Sequence, residues 1–480
     1  MKGKIVLTNL VVLALLASSI TPIASSFELG ETITKEPREV RMKFDFLMPK
    51  LNSVMLSGKT YSVVDMNLPT IGNAGEPEIP VKPVNVLLPY GAELKEIKVI
   101  AGEPILIGKA KITPKSSLIP IGENDFVLVA EENEEIYNSD EIYPGYLYKE
   151  VTTQYFRGFP VVTINLYPVQ WNPLTEELYL YPNMEVVVEL KDGQVNELFR
   201  GTEVDRQEVI KMVDNPREVL TYPLNPSHSC EYVIITNEAL KNAPGPYNFQ
   251  ALANSKIAKG MNATIVTVEW IYSNFGGVDN PEKIRNFIRW AYQEWHTQYV
   301  LLGGDADAGN EIVPVRRLWN ETYFGNYKAH IPSDLYYACL DGSYNSDGDS
   351  YWGEPTDGEG GKDVDLIAEV YVGRAPVENA TELANFVRKT LEYDSSQDPY
   401  LNKVLLCSEY VGFGGIANYG SVFKEEIRNG SNANGYYTVG IPGDEYTILA
   451  LHDNETFTWS VEQLKEIINS GIHIINHMGH

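Results

Sequence analysis

Apolar and polar residues alternate in short runs over the first part of the chain, which is the period of half-buried β-strands. Such runs fall at 61–66, 84–88, 126–129, 161–167, 178–181 and 184–190. Turn residues punctuate them, as in Gly75-Glu76-Pro77, Pro89-Tyr90-Gly91, Tyr143-Pro144-Gly145 and Asn172-Pro173. Many short strands separated by Pro and Gly predict a β-sandwich over residues 27–195. Residues 196–228 are polar and weakly patterned, and read as an exposed linker.

From residue 229 the texture changes to strands alternating with helices. Strands are expected at 232–236, 263–268, 299–302, 366–372, 404–407 and 472–476. Helices are expected near 247–259 and 419–429, and at three better-marked places. Asn280 caps the first of these and Pro281 fills its first turn, with Ile284, Phe287, Ile288, Ala291 and Trp295 on one face. Asn379 and Glu382 form the capping pair of the second. The third starts at Ser460 and places Val461, Leu464, Ile467 and Ile468 inward, with Gly471 ending it. Alternation of this kind predicts a mostly parallel sheet covered by helices on both faces, whose active loops lie beyond the strand C-termini. The segment His477-Met478-Gly479-His480 is such a loop. A domain of this type needs a further crossover and strand, so residues 229–480 are expected to be C-terminally incomplete.

Length and charge narrow the function. A chain of 480 residues needs two or three domains. A net charge of −27 excludes the basic face that nucleic acid demands. Residues 1–26 have a basic start at Lys2 and Lys4, an apolar stretch, and the small residues Ala24-Ser25-Ser26. That is the order of a secretion signal, and the apolar run is short for a membrane span. The chain is therefore expected to be secreted or held at the cell surface, with no other membrane span. Its three cysteines, Cys230, Cys339 and Cys407, fit no disulfide framework or zinc motif and read as buried thiols.

Two constellations carry candidate chemistry. His473, His477 and His480 crowd the last eight residues, but lack the helical His-Glu-x-x-His spacing of a zinc hydrolase. Asp341, Asn345, Asp347, Asp349 and Glu354 place oxygen ligands around glycines, as a calcium loop does. The match to an EF-hand is partial, and a solvated acidic loop is the alternative. No organic cofactor is implied. Gly412-Phe-Gly-Gly415 lacks the lysine of a phosphate loop.

Several segments resemble the gingipain-type cysteine peptidases, family C25. Tyr299-Val-Leu-Leu-Gly-Gly-Asp305 is similar to the strand and loop opening their core. Glu369-Val-Tyr-Val-Gly-Arg374-Ala-Pro is similar to their strand ending in Gly-Arg, and Gly471-Ile-His-Ile-Ile-Asn476-His-Met-Gly479-His480 to their catalytic Gly-His segment. Gly75-Glu-Pro-Glu-Ile-Pro80, Val86-Leu-Leu-Pro89, Gly158-Phe-Pro-Val-Val and Pro168-Val-Gln-Trp-Asn-Pro173 resemble the family's propeptide. The resemblance implies a caspase-like fold, a Cys–His dyad with His480 as the histidine, and Glu409 as its acidic partner. It implies that the nucleophilic cysteine follows the histidine and is none of the three present. It also implies protein or peptide substrates and a zymogen whose own propeptide inhibits it, released by cleavage at Arg200, Arg206 or Arg217. Around Ala417-Asn418-Tyr419-Gly420 there is no aspartate to select a basic residue at the cleavage site. Two other readings stand beside this one: a non-catalytic, calcium-dependent secreted adhesion protein on a peptidase-like fold, and a histidine–metal hydrolase.

Overall fold

The computed structural model describes residues 38–56, 58–115, 131–225, 230–321, 328–411, 419–431 and 438–479. The signal segment, the 126–129 strand, the 412–415 glycine run and His480 lie outside the described residues. Among the described residues, no helix is long and apolar enough to cross a membrane.

Sheet faces sheet in the N-terminal region. One antiparallel sheet orders Glu39–Asp45, Asn183–Asp192 and Ala92–Ala101; the other orders Lys82–Leu87, Phe159–Leu166 and Tyr148–Phe156. Alternate residues point between them, so Val84, Val86, Val162, Ile164, Val186 and Val188 form one core with no exposed surface. A second core gathers around the buried Trp171, whose indole N–H donates to the Ala110 carbonyl at 2.9 Å. The strand expected at 161–167 is Phe159–Leu166, and that expected at 184–190 is Asn183–Asp192.

The 196–228 segment is not the exposed linker its polarity predicts. Thr202 caps a helix at Glu203–Met212, and a 3-10 turn follows at Pro216–Thr221. Val209, Val219 and Tyr222 are buried against Leu87, Phe159 and Val161 of the N-terminal sheet. Burying each such side chain is worth roughly 1.5–3 kcal/mol, enough to override a polar average. Arg200, a candidate cut point, is 5% exposed and held by Asp205 at 2.6 Å.

A tight turn makes this packing possible. Arg157 and Gly158 both have positive φ, 52° and 79°, and join strands paired through Phe156 and Phe159. A Cβ on Gly158 would lie 2.2 Å from the Phe199 nitrogen, so only glycine lets the 196–199 backbone approach. Gly158→Ala is expected to destabilise the chain by about 2 kcal/mol. A lowered urea midpoint at constant slope checks this; an unchanged midpoint contradicts it.

The C-terminal region holds two parallel sheets rather than the one expected. The first orders Ala263–Thr267, Tyr232–Thr236, Tyr299–Gly303 and Tyr371–Ala375. Val233, Ile235, Val300 and Leu302 face the helix Asn280–Trp295, while Ile234 and Leu301 face helices Phe249–Ala258 and Ala380–Ser395. Helices thus cover both faces. The second sheet orders Thr447–His452, Lys403–Ser408 and Ile474–Met478. The chain leaves the first sheet after Ala375, crosses by Ala380–Ser395, and starts anew at Lys403. Strand periodicity says where strands occur, not which ones pair.

Three smaller corrections follow from contacts. Asp279, not Asn280, caps the 280–295 helix, accepting from the Glu282 N–H at 3.0 Å, and Arg316 grips its carboxylate in bidentate fashion. The strand expected at 366–372 is Tyr371–Ala375, because the Glu369 and Val370 N–H groups turn aside to the Ala338 carbonyl. The Val461–Asn469 helix, expected to be buried, packs only Leu464 and Ile467 on Leu405, Cys407 and Leu451. A three-stranded sheet is too narrow to cover Val461 and Ile468, which stay 56% and 41% exposed.

Candidate active site

The carboxyl ends of the second sheet collect the candidate groups. In a parallel sheet all strands deliver their last residues to one edge. Here that edge receives Ser408 and Glu409, His452 and Asp453, and His477 through Gly479. Cys407 pairs with His477 in register, and Ser408 with His452 and Met478.

Glu409 is the centre of this edge. Its backbone N–H continues the ladder to the Met478 carbonyl at 2.9 Å. Its carboxylate Oε1 lies 3.0 Å from Nε2 of His477. Gly479 passes directly over it: a Cβ there would lie 2.5 Å from the Glu409 carboxyl carbon and 2.7 Å from the His477 Nε2. Glycine is therefore required for the chain to cross the Glu409–His477 pair, and residue 480 follows that crossing. A carboxylate beside an imidazole fixes its tautomer and ring orientation.

Beside this pair lies a network that composition did not reveal. The Ser408 hydroxyl and His452 Nδ1 are 2.8 Å apart, and His452 Nε2 is 3.5 Å from Glu425. The order Ser–His–Glu imitates a hydrolytic triad, but Ser408 is wholly buried and no substrate carbonyl can reach it. Burial also lowers the His452 pKa, leaving a neutral ring. Trp459 donates its indole N–H to the Ser408 carbonyl and its backbone N–H to Asp453, both at 2.9 Å, which ties the two strand ends together. Lys424, 5% exposed, reaches Asn476 Oδ1, and burial lowers its pKa as well.

Comparison with known proteins decides the family. The model of peptidase family C25 matches residues 225–480, and that of the C25 propeptide matches residues 33–219. The chain belongs to peptidase family C25. It is 20% identical over 423 residues to gingipain R2 of Porphyromonas gingivalis, covering 85% of this chain and 50% of that protein. The chain thus spans about half the length of that curated relative. Among solved structures, a complex of the RgpB pro- and mature domains of P. gingivalis aligns at 21% identity and a TM-score of 0.31. It covers 38% of this chain and 94% of that one. A structure addressing zymogenic latency of P. gingivalis gingipain K aligns at 18% identity and a TM-score of 0.29, covering 33% and 90%.

Within this C25 chain, Glu409 has His477 as its described hydrogen-bond partner, and any contact with His480 falls outside the described residues. Cys339 and Cys407 are core residues, while Cys230, expected to be buried, is half-buried at the edge of a core. Burial raises the pKa of each, that of Cys339 to about 12, so none is a ready thiolate. The Gly-Arg motif proves structural: Arg374 binds Asp334 twice, at 2.7 and 2.8 Å, and donates to the carbonyls of Gly304 and Val313. It clamps the loops at the carboxyl end of the first sheet.

The five residues of the expected calcium loop do not converge. Asp347, Asp349 and Glu354 bring ligand atoms within 4.8 Å of one another. Asn345 donates to the Asp349 carbonyl at 3.1 Å and leaves its own Oδ1 buried without a hydrogen bond. Asp341 leaves the group altogether and joins Asp365 and Glu369. The Arg285 guanidinium draws the chain inward there, donating to the carbonyls of Cys339, Asp341 and Gly342. Sequence proximity grouped Asp341 with the loop, whereas the true neighbours lie 24 and 28 residues on.

Proposed function

We propose that this chain carries the pro-region and the catalytic histidine of a secreted, thiol-dependent endopeptidase. Its base is His480, positioned by Glu409, and its nucleophile is none of Cys230, Cys339 and Cys407. The observation that carries this reading is the Glu409 carboxylate set at the strand end against Gly479 and hydrogen-bonded to His477. In the proposed reaction a cysteine thiolate attacks the peptide carbonyl. The His480 imidazole accepts the thiol proton and returns it to the leaving amine, and backbone N–H groups hold the oxyanion. Membership in family C25 supports the chemistry.

Latency belongs to the same proposal. The pro-region is bound to the peptidase region through buried contacts, which supports an intramolecular inhibitor. Arg200 donates to the carbonyls of Tyr292 and Thr297 and stacks over the Tyr292 ring at 3.7 Å. Gln293 donates to the Glu197 carbonyl at 3.0 Å. Export rests on residues 1–26, and calcium at Asp347, Asp349 and Glu354 is proposed as structural. That acidic group is also what favours the alternative of a non-catalytic, calcium-dependent surface protein. Assay of the full-length gene product on a fluorogenic peptide library separates the two. Cleavage that appears on removal of the pro-region supports the peptidase; no cleavage before or after removal supports the adhesion protein.

A further inference from the structure

His477 stands at the second-sheet edge with no part in the reaction proposed above. Its Nε2 lies 3.0 Å from Glu409 Oε1. A carboxylate accepts hydrogen bonds and has none to give, so Nε2 carries the hydrogen of this bond. The two carboxylate oxygens are thereby told apart. Oε1 takes the His477 N–H, while Oε2 lies at the Gly479 crossing, 2.7 Å from the place a Cβ would occupy there. Residue 480 follows directly on that crossing.

The imidazole that makes this bond is confined. Side chains alternate between the two faces of a strand, and the register pairs His477 with Cys407, two residues before Glu409. His477 and Glu409 therefore emerge on one face. The Trp459 ring meets the His477 ring at 79°, with centroids 6.1 Å apart. Trp459 is itself pinned by its bonds to the Ser408 carbonyl and to Asp453, both at 2.9 Å. The Gly479 backbone also closes on the ring, since a Cβ there would lie 2.7 Å from His477 Nε2. Lys424 lies over the opposite face, on the helix Ser421–Asn429, where it reaches Asn476. Among the described residues, Glu409 is the charged group bonded to His477. The His477 side chain is 38% exposed, so filling space in a core does not explain the restraint placed on it.

We propose that His477 is a positioning residue for the peptidase reaction, fixing Glu409 Oε1 so that Oε2 is presented to His480. This role rests on the reading of Glu409 and His480 given above. A glutamate side chain turns about three bonds, and a carboxylate left unheld at a strand end spreads over several rotamers. One N–H on a walled-in ring selects one of them. His477 exchanges no proton with substrate in this role. It acts as a fixed donor, as outer hydrogen-bond partners do when they orient the ligands of a metal centre. The hydrogen-bond donor matters here and the bulk of the ring does not, which separates positioning from packing.

Steady-state kinetics of the full-length gene product, freed of its pro-region, test the role. His477→Phe keeps a flat ring against Trp459 and loses the donor. It is expected to lower kcat about tenfold and to leave KM within about twofold. His477→Gln sets an amide N–H near the same place, and its kcat is expected to lie within about threefold of wild type. In a Glu409→Gln chain, His477→Phe is expected to cost less than about twofold more, because the carboxylate it held is gone. Wild-type activity in His477→Phe overturns the proposal. So does a loss in His477→Gln equal to that in His477→Phe, or full additivity of His477→Phe with Glu409→Gln. Failure of the underlying reading looks different: His480→Ala or Glu409→Gln is then as active as wild type, which removes both. The positioning role falls alone when those two variants are impaired and His477→Phe is not.

Discussion

His480→Ala in the full-length gene product is expected to lower kcat/KM on peptide substrates by about 10²–10⁴-fold, the range for loss of a general acid–base. Glu409→Gln should cost less, about tenfold or more, because the amide keeps the shape and the contact with Gly479 but loses the charge. The two variants also differ in kind. An amide stabilises an imidazolium less than a carboxylate does, so the acidic limb of the Glu409→Gln pH profile should move to lower pH. A merely structural role for Glu409 would lower activity at every pH without moving that limb. Equal activity of wild type and His480→Ala would remove the histidine from the mechanism.

Asp205→Ala is expected to destabilise the chain by about 3–5 kcal/mol, the cost of leaving buried charges unpaired. Asp205 is wholly buried and joins two guanidiniums, Arg157 at 3.0 Å and Arg200 at 2.6 and 2.9 Å, whose side chains are each 2% exposed. Arg157 comes from the pro-region turn, and Arg200 reaches on to Tyr292 and Thr297. Removing Asp205 therefore strands two cations at once and loosens the pro-region from the peptidase region. Chemical denaturation should show the loss, and limited proteolysis should open near residues 196–200 first. A stability change under about 1 kcal/mol would mean that the arginines find other partners or water.

Local order was readable in the sequence where one residue type dictates one geometry. Ser460 forms a full capping box with Gln463, and Asn379 accepts from the N–H groups of Thr381 and Glu382, as their spacing predicts. The Phe159–Leu166 strand keeps its alternation because its sheet has an inner and an outer face. Contacts between distant segments were not readable. Arg157 meets Asp205 across 48 residues and the Glu369 carboxylate across 212. The division into two parallel sheets left no periodic mark either. At the candidate site, Glu409 and the Gly-His segment were visible through family resemblance. The Ser408–His452 pair and the inward Lys424 were hidden, because single polar residues in strands and helices usually face water.

Catalysis is expected to use a thiol other than Cys230, Cys339 and Cys407, with His480 as its base. The most direct test of this is iodoacetamide inactivation of the full-length gene product after release of the pro-region, with the alkylated peptide located by mass spectrometry. The expected result is loss of peptidase activity with one equivalent of label, on a cysteine other than Cys230, Cys339 and Cys407, and much slower labelling in His480→Ala. Full activity after alkylation, or inactivation that follows label on one of those three residues, would contradict it.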